Sequence, residues 1–181
     1  MILLILGLAL WIGVHSWKRV APAHRERVGD KGKRIVALGS FIAIALMIVG
    51  YRVAEGAVYW GRTPALTGIN NLLMVAAFYL FAASGAKTRV TRFIRHPQLT
   101  AMCLWSVAHL LVNGDVPSFV LFGGMLIWAL VTMVVITRAE GPRAPYVAVP
   151  VKKETTAVVA TVVVVIIVSA IHYALGYNPF G

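Results

Sequence analysis

The stretch Arg95-His96-Pro97-Gln98-Leu99-Thr100, running through Trp105-Ser106-Val107-Ala108-His109-Leu110-Leu111-Val112 to Asn113-Gly114-Asp115, decides how the chain is read. It sets two His, an Arg and a Trp in a short apolar segment, where every polar group must be justified against lipid. Pro97 suits the first turn of a helix, because its missing N–H would have no partner there and its fixed φ is already helical. The same ring pushes His96 into an extended conformation. A helix is therefore expected from Pro97 to Val112. Its mouth holds Arg95 and His96 behind Arg89 and Arg92. That mouth also carries free N–H groups and the positive end of the helix dipole, so it reads as a seat for an anion. His109 lies about 18 Å further along at 1.5 Å per residue. Met102, Trp105, His109 and Asn113 share one face by their three- and four-residue spacing.

Working outward, composition sets the class. Of 181 residues, 60% are hydrophobic and only 13% charged, too few charged groups to cover a soluble globule of this size. The chain reads as an all-α, polytopic membrane helix bundle, a single integral-membrane domain over residues 1–181. The net charge of +11 would raise the question of nucleic acid in a soluble protein. Here the basic residues fall in short blocks between apolar runs, so topology explains them and no nucleic-acid partner is expected. Cys103 is the single cysteine, which excludes an intrachain disulfide and any CxxC motif.

Six spans are expected, at about 1–17, 35–53, 66–85, 97–112, 119–137 and 157–175. The first is followed by Lys18-Arg19 rather than preceded by charge, the reverse of a signal peptide, and is read as retained. The fourth is short for a bilayer core of about 30 Å. Asn113-Gly114-Asp115 reads as a tight turn. The stretch from Arg138 to Thr156, with Gly141-Pro142, Pro145 and Pro150, reads as an irregular strap.

Loop charges alternate. The first loop has seven basic residues (Lys18, Arg19, Arg25, Arg27, Lys31, Lys33, Arg34), the third four (Lys87, Arg89, Arg92, Arg95) and the fifth four (Arg138, Arg143, Lys152, Lys153), against Arg52 and Arg62 alone in the second and none in the fourth or at the termini. The positive-inside rule then puts the basic loops in the cytoplasm and both termini outside.

The polar residues within or beside the spans are Asn70-Asn71, His15, His96, His109 and His172. Bundle interiors use Asn and His to bond neighbouring helices, the reading favoured for a single His, while several His near a small bundle also bring in axial ligation of haem iron. No HExxH, intraspan carboxylate pair or Ser/His/Asp set is present, which disfavours metalloprotease, proton-pump and serine-hydrolase readings. By depth, His15 pairs with His96 near the basic face, and His109 with His172 near the other. His15 with His109 requires an offset of about 12 Å.

The His15-Ser16 pair closing the first span, Arg95-His96-Pro97-Gln98, the Leu104-Trp105-Ser106-Val107-Ala108-His109 segment and the Asn113-Gly114-Asp115 turn together resemble the NnrU family of bacterial membrane proteins, over most of the chain. The resemblance implies a multi-pass protein of the bacterial inner (cytoplasmic) membrane, embedded in the lipid bilayer. It further implies an association with nitrite and nitric oxide reduction in denitrifying bacteria, with nitric oxide or nitrite reductase components as partners. The family is similar in turn to 15-cis-zeta-carotene isomerase, a membrane enzyme with b-type haem. Its liganding His fall in segments that resemble those around His15 and His109. That likeness implies haem b on His15 and His109, with His172 as the alternative that depth favours, and with Arg95 and His96 at the propionates. The isomerase has a Cys three residues before its second His, where this chain has Ser106, so its redox-linked ligand switching is not implied.

Arg95-His96-Pro97 also resembles isoprenylcysteine carboxyl methyltransferase, where the matching motif helps hold S-adenosylmethionine. Glu140 is present, but Gly141-Pro142-Arg143-Ala144-Pro145-Tyr146 keeps little of the acidic and aromatic cofactor pattern. Three classes compete: a haem protein with a redox or isomerase role, an S-adenosylmethionine-dependent methyltransferase, and a non-catalytic assembly factor for a respiratory complex. Four His in or near the bundle favour the first. The topology is open to direct test. A reporter fused after residue 181 should be active outside the cytoplasm and one fused near Gly29 inside; a C-terminal reporter active inside overturns the six-span orientation.

Overall fold

Helices account for nearly every stretch that the apolar runs marked. The structure is a computed structural model that describes residues 1–143 and 148–180. In chain order the helices are α1 (Ile2–Val20), α2 (Pro22–Val28), α3 (Lys31–Val53), α4 (Pro64–Ala86), α5 (Pro97–Val112), α6 (Val116–Glu140) and α7 (Val151–Ala174). Two short strands, β1 (Val58–Trp60) and β2 (Gly114–Asp115), pair antiparallel. Among the described residues, α1, α3, α4, α6 and α7 are long and apolar enough to cross a membrane. The sixth apolar helix, α5, has 16 residues, about 24 Å at 1.5 Å per residue. The result is the expected all-α membrane bundle with one short member.

Local chemistry sets the helix ends. Pro64 opens α4, where the Thr63 hydroxyl accepts from the Leu66 N–H at 3.2 Å. Asp115 caps α6 by accepting from the Ser118 N–H at 2.8 Å, as the N-cap rule favours. Gly141, at φ +66°, ends α6 in a conformation that a side chain would resist, and Pro142 follows. The strap expected from Arg138 to Thr156 is thus shorter than its composition suggested. α6 continues to Glu140 and α7 starts at Val151, while Pro145 lies outside the described residues. The first loop also holds α2, opened by Pro22.

The Asn113-Gly114-Asp115 turn does more than reverse the chain. β2 pairs Asp115 with Val58 and Gly114 with Trp60. The Trp60 ring lies where a Gly114 side chain would be, and its indole donates to the Leu110 carbonyl at 3.0 Å. This small cap closes the end of short α5.

Glycine decides the crossing of α1 and α3. A Cβ on Gly7 would meet the Met47 nitrogen at 2.8 Å and the Ala43 oxygen at 2.9 Å, and a Cβ on Gly50 would collide with the backbone of Leu4. Backbones this close gain dispersion contacts that lipid cannot match. On the other side, α4 packs against α5 and α7, and α6 joins α5 to α1. Leu4, Ala43, Met47, Leu121, Phe122 and Met125 form the main core, with Trp11, Trp105 and Trp128 packed against it. At the basic face, Arg19 pairs with Glu140 at 3.5 Å, and Arg143 donates to the Arg92 carbonyl at 2.8 Å.

The Gly50→Ala variant forces α1 and α3 apart and should lose about 1–3 kcal/mol, the usual cost of overpacking. Gly13 has nothing within 4 Å of a built Cβ, so Gly13→Ala should hold or raise stability. Thermal unfolding of both in one detergent checks the pair; equal melting temperatures would show that the crossing is not tight.

Candidate functional site

Three intramembrane His share one local arrangement. His15 Nδ1 bonds the Trp11 carbonyl at 2.9 Å, His109 Nδ1 bonds the Trp105 carbonyl at 2.9 Å, and His172 Nδ1 bonds the Val168 carbonyl at 2.8 Å. Each bond reaches back one helical turn to a carbonyl oxygen, which only accepts. Nδ1 must therefore carry the proton, and Nε2 presents a bare lone pair. No other polar partner meets these Nε2 atoms among the described residues.

Aromatic rings enclose two of the three. His15 stacks on Trp11 with centroids 4.0 Å apart and meets the edge of Trp128 at 5.5 Å. His109 stacks on Phe122 at 4.5 Å, and Trp105 contacts both at 4.9 Å. Phe122 owes its position to a π-turn over Phe119–Gly123 inside α6. Such an extra residue in a helix re-aims side chains and recurs at functional sites. Gly124, just beyond it, admits Leu8 of α1.

This constellation spans α1, α5 and α6, and the family comparison covers all three. A profile described as NnrU protein matches residues 3–179 of the 181-residue chain. The chain belongs to the NnrU family. Comparison with curated proteins and with solved structures finds no match.

In this NnrU chain, His15 and His109 face one aromatic core but do not touch. His15 sits at Trp128 and His109 at Phe122, six residues apart on α6, about 9 Å of rise. α1 and α5 run antiparallel through the core, and helical side chains lean toward their own N-termini. The two imidazoles therefore lean toward each other. His172 lies within electrostatic reach of His109, as does Arg62, in keeping with the depth argument that grouped His109 with His172. His96 stands apart from all three, at the basic face.

The helix mouth is already in use. Arg95 donates to the Gly141 carbonyl at 2.7 Å, and His96 Nε2 bonds the Thr137 hydroxyl at 2.8 Å. Both tie the start of α5 to the end of α6. A guanidinium has five donors, so Arg95 retains capacity for an anion.

Two intramembrane Asn separate into different roles. Asn70 is buried and donates to the Ala108 carbonyl at 2.8 Å, joining α4 to α5. Asn71 lines a cavity of about 370 Å³ with Arg62, Thr63 and Thr67. Trp11, Trp128 and Phe122 were missed by reading the polar residues alone. A signal for them does exist: a Trp precedes each of two His by four residues, as Trp11-Ile-Gly-Val-His15 and Trp105-Ser-Val-Ala-His109.

The latch at His96 is sensitive to pH. Burial and the neighbouring Arg95 guanidinium hold its pKa below the ordinary value, against the pull of Glu140. A folded pKa below the unfolded one means that the unfolded chain binds the proton more readily. The stabilisation is present above about pH 6.5 and is lost as pH falls through the lowered value. The amides of Thr100 and Gly141, bonded to the His96 and Thr137 carbonyls, should exchange faster on acidification, and His96→Gln should remove that dependence. An unchanged profile in the variant would assign the effect to another group.

Proposed function

We propose that this NnrU protein binds b-type haem in the bacterial inner membrane, with His109 and His15 as axial ligands, in the setting of nitrite and nitric oxide reduction. One observation carries the reading: each imidazole is held by its Nδ1 proton with its Nε2 lone pair bare. Metal-binding His need this arrangement, in which the second nitrogen's hydrogen bond sets the tautomer and aims the ring.

The surroundings fit the group. Trp11, Trp105, Phe122 and Trp128 supply an apolar, aromatic enclosure, and Arg95 supplies donors for a carboxylate at the basic face. Bound haem supplies one-electron and gas-binding chemistry. The chain's own part is to orient two neutral imidazoles and exclude water from them.

Protein made with ample haem should show a Soret band that shifts on dithionite reduction. His109→Ala and His15→Ala should each alter the band and lower haem occupancy several-fold, whereas His24→Ala, in α2, should not. If His172→Ala removes haem and His15→Ala does not, the second ligand is His172. Arg95→Ala should weaken haem retention, with Lys restoring only part. A wild type without haem, or an unaltered spectrum in His109→Ala, overturns the reading.

A further inference from the structure

The indole N–H groups of Trp11 and Trp128 are both buried from solvent and have no hydrogen-bond partner among the described residues. The two rings lie edge to face at 5.7 Å and close a triangle with His15, at 4.0 Å from Trp11 and 5.5 Å from Trp128. Indole nitrogen only donates. Two such donors left bare on rings in contact are a departure from the near-universal pairing of buried polar groups, and each calls for an acceptor oxygen.

Three features narrow what brings that oxygen. The site lies between α1 and α6, and Ile12, Ile127 and Val131, next to the two Trp or one turn away on the same helices, are exposed, so lipid lies beside it. The rings offer flat apolar faces beside the donors. The nearest full charges on α1, Lys18 and Arg19, begin three residues past His15, and Arg19 is engaged with Glu140. A neutral carbonyl therefore suits the site better than a carboxylate.

We propose that Trp11 and Trp128 form a binding site for the head group of a membrane quinone, with their indole N–H groups donating to a quinone carbonyl. The site uses the indole nitrogens and leaves His15 Nε2 free. It stands whether or not iron is bound there.

The test uses the full chain in phosphatidylcholine nanodiscs with decylubiquinone as the probe. Binding by the wild type should lower the quinone carbonyl stretch relative to decylubiquinone in empty nanodiscs. It should also shift the indole N–H marker in ultraviolet resonance Raman toward the hydrogen-bonded position. Trp11→Phe and Trp128→Phe keep the aromatic faces and should each weaken binding about fivefold, in line with the loss of one net hydrogen bond. Trp17→Phe, near the end of α1, where the indole N–H already donates to His24 Nδ1 at 3.1 Å, should leave binding unchanged.

Should either Phe variant fail to fold, the two spectroscopic shifts in the wild type decide the matter. An absence of binding, or wild-type affinity in both Phe variants, overturns the proposal. So does an indole marker already in the hydrogen-bonded position before quinone is added and unmoved by it, since the acceptor is then water. The Soret band, followed in the same samples, reports the haem reading separately.

Discussion

Lipid offers no hydrogen bond, and this constraint organises the interior of the bundle. Several polar side chains placed at depth bond a backbone carbonyl. Asn70 takes that of Ala108, Asn113 that of His109, and Trp60 that of Leu110. The three intramembrane His use the carbonyl four residues back on their own helix. For an amide or an indole such a bond ends the matter. For imidazole it settles only half, because satisfying Nδ1 as donor leaves Nε2 as an acceptor. The same constraint that makes His expensive in a membrane thus leaves an acceptor nitrogen on each ring.

The bundle has a tight side and an open side. Gly7 and Gly50 bring the backbones of α1 and α3 into contact, and small residues such as Ala77 and Ala101 line the junction of α4 with α5. Between these two pairs α6 takes a different course. Its π-turn and the Gly123-Gly124 pair let Leu8 and Phe122 in, and the gap is filled by Trp and His rather than by backbone contact. Aromatic rings fill space with few rotatable bonds, so the imidazoles are held at fixed positions without helices pressed against them. A planar group seated there would displace side chains, not main chain.

Much of this was legible. Pro97 opens α5 where its fixed φ predicts and the short fourth span is short, whereas α6 begins at Val116, three residues before the expected span. Those readings rest on local rules that act within a few residues. The partnership of Arg95 with Gly141 and of His96 with Thr137 was not legible, since it depends on how far α6 extends beyond its apolar run. Helix hydrogen bonding carries α6 through Arg138 and Glu140 until Gly141 stops it, whereas hydropathy ends at Thr137. The role of Trp11 and Trp128 was hidden for another reason. Trp is unremarkable in a membrane span, and its polar atom becomes informative only when the packing shows that nothing meets it.

The short α5 links these observations. At about 24 Å it falls short of a bilayer core of about 30 Å, and the β1–β2 cap with Trp60 makes up the difference on the face away from the basic loops. His109 stands three residues before the end of α5, and His15 stands five before the end of antiparallel α1. The two imidazoles are therefore toward opposite faces, and the aromatic core lies between them. A group bridging them would lie within one or two helical turns of either surface. The unpaired indoles sit at the basic-face end of that span and the apolar cavity beneath Trp60, lined by Leu66, Val107, Leu110 and Leu111, sits at the other. Joining helices requires neither the unpaired indole N–H groups of Trp11 and Trp128 at one end nor an imidazole Nε2 beyond the bonded Nδ1 at each.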